Sequence, residues 1–146
     1  MDKLAKLMQD IGILWDKYHT MYLNGMLNTL GLALAATAIG CIIGLLCGIL
    51  NTIPCAKNDP PPKRILLKII RVIIRIYVEV FRGTPMMVQA MVIYWGYAFA
   101  SGGNTLPLIP SGILIVSVNT GAYMAEIVRG GIISIDKGQF EGAMSI

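Results

Sequence analysis

The chain has 146 residues and a mass of 15.8 kDa; 55% of its residues are hydrophobic, only 14% are charged, and its mean hydropathy is +0.68. This excludes a disordered chain, which needs low hydrophobicity and high charge, and three cysteines, an odd number in a long apolar chain, exclude a disulfide scaffold. A net charge of +4 and a pI near 9.1 raise the question of nucleic acid, but no aromatic platform or reading element stands beside the basic residues.

In chain order, the first segment is electrically balanced. Lys3, Lys6 and Lys17 are matched by Asp2, Asp10 and Asp16. From Tyr18 to Ala56 there is no Asp, Glu, Lys or Arg. Roughly 20 apolar residues cross a ~30 Å hydrocarbon layer, so a span is predicted over about 22–50. A soluble core helix would show a polar face at helical spacing; Leu32–Leu50 shows none. The apolar core is also longer than a signal-peptide core of roughly 7–15 residues, which favours an uncleaved membrane helix. Ala36, Gly40, Gly44 and Gly48 recur at every fourth position and share one face. Small residues let helix backbones approach closely in lipid. A helix bundle is expected, with packing inside the chain and packing against a second copy both open.

The connection over 51–84 carries Lys57, Lys63, Arg64, Lys68, Arg71, Arg75 and Arg82 against only Asp59 and Glu79. The positive-inside rule places it in the cytoplasm. The N-terminus and the uncharged loop from Ser101 to Ser111 are then outside, and the C-terminal tail is inside. Pro60, Pro61 and Pro62 block a helix before the basic run. From Arg64 to Arg82 the charges recur at intervals of three and four among isoleucines, leucines and valines. That is an amphipathic helix suited to the cytoplasmic interface; a surface anchor and a brace for a moving transport helix are both open roles.

The second uncharged tract runs from Gly83 to Ala125, interrupted by Ser101-Gly102-Gly103-Asn104, Pro107 and Pro110. It supplies two further spans, about 85–100 and 110–128. The first of these is short, so its ends are expected to be irregular or sheltered by protein. Thr84 is the expected N-cap, with Pro85 at the first helical position. Gln89, Asn119 and Thr120 are polar residues inside spans, where such groups face protein or water rather than lipid. Each can be a packing hydrogen bond or a substrate ligand. Ser117, Gly121 and Ala125 form a second small face. Glu126 and Arg129 lie three apart, hence on one helical face, as a structural pair or as gate charges.

In the tail, Asp136 is the expected N-cap of a helix starting at Lys137, with Gln139 as its capping-box partner. The sequence reaches Ile146 without a C-cap signal and reads as cut within that helix. His19 is the lone histidine, and Cys41, Cys47 and Cys55 form no CxxC. No Ser-His-Asp order, Walker loop or paired carboxylates occur, so no catalytic residue, bound cofactor or metal is expected. The fold class is an all-α integral membrane protein, a single domain over 1–146 with three spans, a basic amphipathic connector and a cytoplasmic tail over 130–146.

Three segments resemble signatures of one family, the permease subunits of ABC-type polar amino-acid importers. They are Tyr77-Val78-Glu79-Val80-Phe81-Arg82-Gly83-Thr84-Pro85-Met86-Met87-Val88-Gln89, then Asn119 to Ile132, then Lys137-Gly138-Gln139-Phe140-Glu141-Gly142-Ala143, the last similar to the start of the EAA loop. The resemblance covers about Leu23–Ile146. It implies a bacterial inner-membrane permease of five spans, of which the last two are absent here. It further implies a second permease subunit, cytoplasmic ABC ATPases that consume the ATP, an extracytoplasmic binding protein and a polar amino acid as substrate. Gly138, Gln139, Glu141, Gly142 and Ala143 would couple to the ATPase. Arg82, Thr84, Gln89, Asn119, Glu126 and Arg129 are the implied pathway or gate residues, and Gly40, Gly44, Gly48 and Gly121 the packing residues. Gly142 stands where the family usually has Ala, which loosens the coupling helix by up to ~1 kcal/mol. The alternative is a non-transporting membrane remnant that only packs with partner helices.

Overall fold

The structure, a computed structural model, describes residues 2–54 and 60–145. Cys55, Lys57 and Asp59 of the connector lie outside the described residues. Among the described residues there are five helices and no strand: α1 (Asp2–Thr52), α2 (Pro61–Gly83), α3 (Met86–Ala100), α4 (Leu108–Ile133) and α5 (Lys137–Met144).

α1 is much longer than the expected span. Its 51 residues extend about 75 Å at 1.5 Å per residue, so the balanced N-terminal segment continues the same helix. α1 and α4 are long and apolar enough to cross a membrane, and α3 is a shorter apolar helix of 15 residues. α4 exceeds the expected 110–128 at both ends.

The core is the pairing of α1 with α4. Leu32 lies against Gly112, Gly40 against Ser117 and Thr120, Gly44 against Gly121 and Met124, and Gly48 against Ala125 and Val128. Both positions advance together along the contact, so the two helices run parallel. The chain between them therefore travels back the length of the pair, through α2 and α3. The stripe of small residues makes the pairing possible: a Cβ on Gly40 would sit 2.9 Å from the Ser117 carbonyl oxygen, and one on Gly44 would sit 2.9 Å from the Ala125 nitrogen. Ala36, on the same stripe, and Ala122 of α4 are fully buried.

α2 differs from a helix lying free on a surface. Leu67, Ile74 and Val78 are buried, and Ile74 and Val78 pack with Ala125 of α4 and Cys47 of α1. Arg71 donates from a guanidinium nitrogen to the Ile53 carbonyl at the end of α1. Ile65, Ile69, Val72, Ile73, Ile76 and Val80 remain exposed on another side. The helix thus has three sectors, packed, charged and outward apolar, where the sequence suggested two. α3 closes with Gly102 at φ 72° and a Gly103 N–H donated to Ala98 O at 2.8 Å, a Schellman-type stop that needs a residue without a Cβ.

Candidate functional site

The first signature contains a break between two helices, and proline causes it. In a continuous helix the Phe81 carbonyl would accept from the N–H four residues on. That residue is Pro85, which has no N–H. α2 ends at Gly83, and α3 starts at Met86 with Pro85 as its N-cap. This corrects the expected cap. Thr84 is the C-cap of α2, and its hydroxyl donates back to the Val80 carbonyl at 2.8 Å. The i−4 carbonyl wins the hydroxyl that an N-cap would have aimed forward.

The orphaned carbonyls are answered by side chains. Gln89 Nε2 donates to Phe81 O at 2.9 Å, to Thr84 O at 2.9 Å and to Thr84 Oγ1 at 2.8 Å. Asn119 Nδ2, from α4, donates to Phe81 O at 3.2 Å and to Gln89 Oε1 at 3.1 Å. Gln89 is 8% exposed. Three of the expected pathway residues, Thr84, Gln89 and Asn119, thus meet at one point and tie the α2–α3 break to α4. A buried polar group is tolerated at a low-dielectric site only when it is hydrogen-bonded, and every contact here serves that end.

The other three expected residues lie together in a second place. A cleft of about 770 Å³ opens between α2 and α4 and reaches Asn51 of α1. Its charged walls are Arg75, Glu79 and Arg82 from α2 and Glu126 and Arg129 from α4. Arg129 Nε donates to Glu126 Oε1 at 3.1 Å, and a terminal guanidinium nitrogen donates to the same oxygen. The Arg82 guanidinium carbon stands 5.5 Å from the centre of the Tyr123 ring, within cation–π range. Charges of both signs within one cleft can hold the two ends of a zwitterion.

Tyr77, quoted in the first signature without a role of its own, ties α2 to α4. Its hydroxyl donates to the Val118 carbonyl at 2.5 Å, and a Cβ on Gly121 would come within 2.8 Å of that hydroxyl. Gly121 is therefore shaped by α2 as well as by Ile43 of α1. No local signal marks Tyr77, because its partner is 41 residues away in sequence. The Phe81 carbonyl was legible in principle, from a proline four residues on.

α5 begins at Lys137, and Asp136 Oδ1 accepts the Gly138 N–H at 2.7 Å. Gln139 contributes its backbone N–H to the Asp136 carbonyl at 3.1 Å; the expected side-chain half of the capping box is absent among the described residues. Gln139, Glu141, Gly142 and Ala143 are all exposed.

Comparison with known proteins completes the picture. Residues 64–145 match the family described as binding-protein-dependent transport system inner membrane component. The chain belongs to that family. The putative glutamine transport system permease protein GlnP of Rickettsia felis is 32% identical over 84% of this chain and 50% of its own length. The glutamine transport system permease protein GlnP of Escherichia coli is 30% identical over 86% of this chain and 52% of its own. The L-cystine transport system permease protein TcyB of Bacillus subtilis is 27% identical over 100% of this chain and 58% of its own. The crystal structure of an amino acid ABC transporter with histidines superposes with a TM-score of 0.71, at 32% identity, over 91% of this chain and 56% of that one. The chain thus spans about half the length of the relatives it matches. The matched region of this permease-family chain starts on α2 and ends just past α5, so the polar junction, the charged walls of the cleft and α5 all fall inside it.

Proposed function

We propose that the chain supplies the N-terminal part of the membrane permease subunit of an ATP-driven importer of polar amino acids. The observation that carries this reading is the polar junction of Gln89, Asn119 and Thr84 beside a cleft of mixed charge, where the amphipathic α2 meets the apolar helices α3 and α4. Intramembrane polar and ionisable groups mark substrate pathways. Discontinuous helices are a usual device for a polar substrate within a bilayer. Arg75 and Arg82 suit a substrate carboxylate, and Glu79 and Glu126 suit an ammonium group.

In this reading α1 enters from outside, α2 and α3 together return, and α4 descends again, leaving α5 in the cytoplasm. The parallel course of α1 and α4 and the basic residues of α2 support that orientation. Gly138, Gln139, Glu141, Gly142 and Ala143 form the exposed surface that meets a cytoplasmic ATPase. A second permease subunit completes the pathway, and an extracytoplasmic binding protein delivers the amino acid. ATP is bound by the ATPase alone. Rigid-body rocking of the helices then exposes the cleft alternately to each side.

The test is uptake of a panel of labelled amino acids by vesicles that carry the full-length permease, its ATPase and its binding protein. Glu141→Arg is expected to abolish uptake while the assembled membrane subunits persist. Normal uptake with normal stimulation of ATP hydrolysis would overturn the coupling role.

A further inference from the structure

We infer that the N-terminal part of α1, residues 3–22, docks on the lipid–water interface as an amphipathic helix. Its pairing with α4 begins only near Leu32, opposite Gly112, and a Cβ on Gly12 or Gly25 would meet nothing within 4 Å. Yet Leu4, Leu7, Ile11, Leu14, Trp15 and Tyr18 recur at intervals of three and four and so share one face, and all but the half-buried Tyr18 are exposed. Lys6, Gln9, Asp16 and Lys17 occupy the other side. Such a stripe standing in water would leave a row of large apolar side chains solvated without return.

Three observations select lipid as the occupant. The stripe leads directly into the uncharged run that starts at Tyr18, so the bilayer surface lies within a few residues of it. α1 is about 75 Å long against a ~30 Å hydrocarbon layer, so a segment of this length must leave the core. Its last turns carry Trp15, Tyr18, His19 and Tyr22, rings with polar tips of the kind that collect at the headgroup level. The segment has three lysines and two aspartates, so it is nearly neutral and binding rests on the apolar face and not on anionic lipid. α1 is continuous in the structure, so docking requires it to bend, and Asn24-Gly25 is where the bend is expected, since a Cβ on Gly25 would meet nothing and glycine weakens a helix interior.

The chain has two tryptophans, Trp15 and Trp95, which makes the test direct. The whole chain is placed in phosphatidylcholine vesicles whose lipids carry bromine either high or low on the acyl chain. Trp15 emission is read in Trp95→Phe, and independently as the difference between the unaltered chain and Trp15→Phe. The expected result is stronger quenching by the high bromines than by the low ones, with protection from aqueous acrylamide. Leu14→Lys is expected to raise acrylamide quenching of Trp15 roughly twofold or more by lifting the stripe from the interface. Full acrylamide access with no bromine quenching would overturn the inference, because the helix would then project into water. Protection from both quenchers would also overturn it, in favour of cover by a second copy. Stronger quenching by the low bromines would place the segment in the hydrocarbon core and overturn it as well. None of these readings depends on transport, so they stand apart from the uptake experiment.

Discussion

On α4, Asn119 and Gly121 are two residues apart and face different neighbours. Gly121 belongs to the seam with α1, where stability comes from the absence of side chains: backbones approach until a single added carbon has no room. Asn119 belongs to the junction with α2 and α3, where stability comes from side-chain amides that answer carbonyls left open by Pro85. The seam is close-packed and tolerates no addition. The junction is polar and tolerates no subtraction. A membrane helix gains little from burying apolar surface against another, since lipid is equally apolar. Close packing and hydrogen bonding are therefore the two means available, and this chain uses one on each side of α4.

The contrast is broken most severely at Gly44. A leucine there would drive into the Met124 side chain and the backbone at Gly121 and Ala125. Backbone atoms cannot swing aside, so Gly44→Leu is expected to cost about 3 kcal/mol or more, at or beyond the top of the overpacking range. Gly25→Leu is the control, since nothing lies within 4 Å of a Cβ there. Thermal unfolding in detergent should separate the two; equal melting temperatures would show that the seam does not hold the pair.

At the junction the sign reverses. Gln89→Leu keeps the volume and removes the donors, leaving the Thr84 carbonyl and part of the Phe81 carbonyl unanswered. Each buried unsatisfied group costs about 1–3 kcal/mol, while hydrogen bonds inside bilayers have averaged nearer 0.6 kcal/mol. A loss of about 2 kcal/mol is expected. Pro85→Ala sharpens the point, because it restores an N–H four residues after Phe81. If the missing N–H is what the junction compensates, the double variant Gln89→Leu/Pro85→Ala should recover part of the loss in a double-mutant cycle. Strict additivity would refute the assigned role of proline.

These two regions were unequally legible in the sequence. The seam was readable because the fourfold repeat of Ala36, Gly40, Gly44 and Gly48 is local and helical geometry fixes its face. The polar residues of the junction were readable as a set, since polar groups are scarce in apolar tracts. Their arrangement was not: the expected Thr84 cap failed because its hydroxyl turned to Val80, and the Phe81 carbonyl is a backbone atom that no residue type announces. The packed face of α2 was hidden for a related reason. Apolar residues cover more than half of that helix, and periodicity alone does not say which of them meet protein and which meet lipid. The cleft gained Arg75, Glu79 and Tyr123 only when tertiary structure brought α2 beside α4.

A third region tests how far local chemistry acts alone. Asp136 caps α5 through the Gly138 N–H, and Gly138, Gln139, Glu141, Gly142, Ala143 and Met144 of the helix are exposed. Asp136→Ala is expected to cost about 1 kcal/mol of helix stability with no effect on the seam or the junction. Amide exchange at Gly138 and Gln139 should speed up about fivefold, since 1.4 kcal/mol corresponds to a factor of ten, while exchange along α4 stays unchanged. Equal exchange in both proteins would show that α5 is held by something other than its cap.

The smallest effect on stability is expected in the cleft. Glu126 and Arg129 keep side-chain exposures of 32% and 38%, and exposed pairs at this spacing contribute about 0.5 kcal/mol or less. Glu126→Gln retains the shape and a hydrogen-bond acceptor for Arg129, so melting should move by less than the scatter of ordinary surface substitutions. Uptake by the full-length permease should nevertheless fall, because the charge balance of the cleft shifts from two carboxylates against three guanidiniums to one against three. A stable protein with impaired uptake would separate this cleft from both regions of α4 packing: its charges would serve the passenger and not the fold. Loss of stability as large as that of Gln89→Leu would instead make Glu126 a structural residue of α4 and remove the cleft as a pathway.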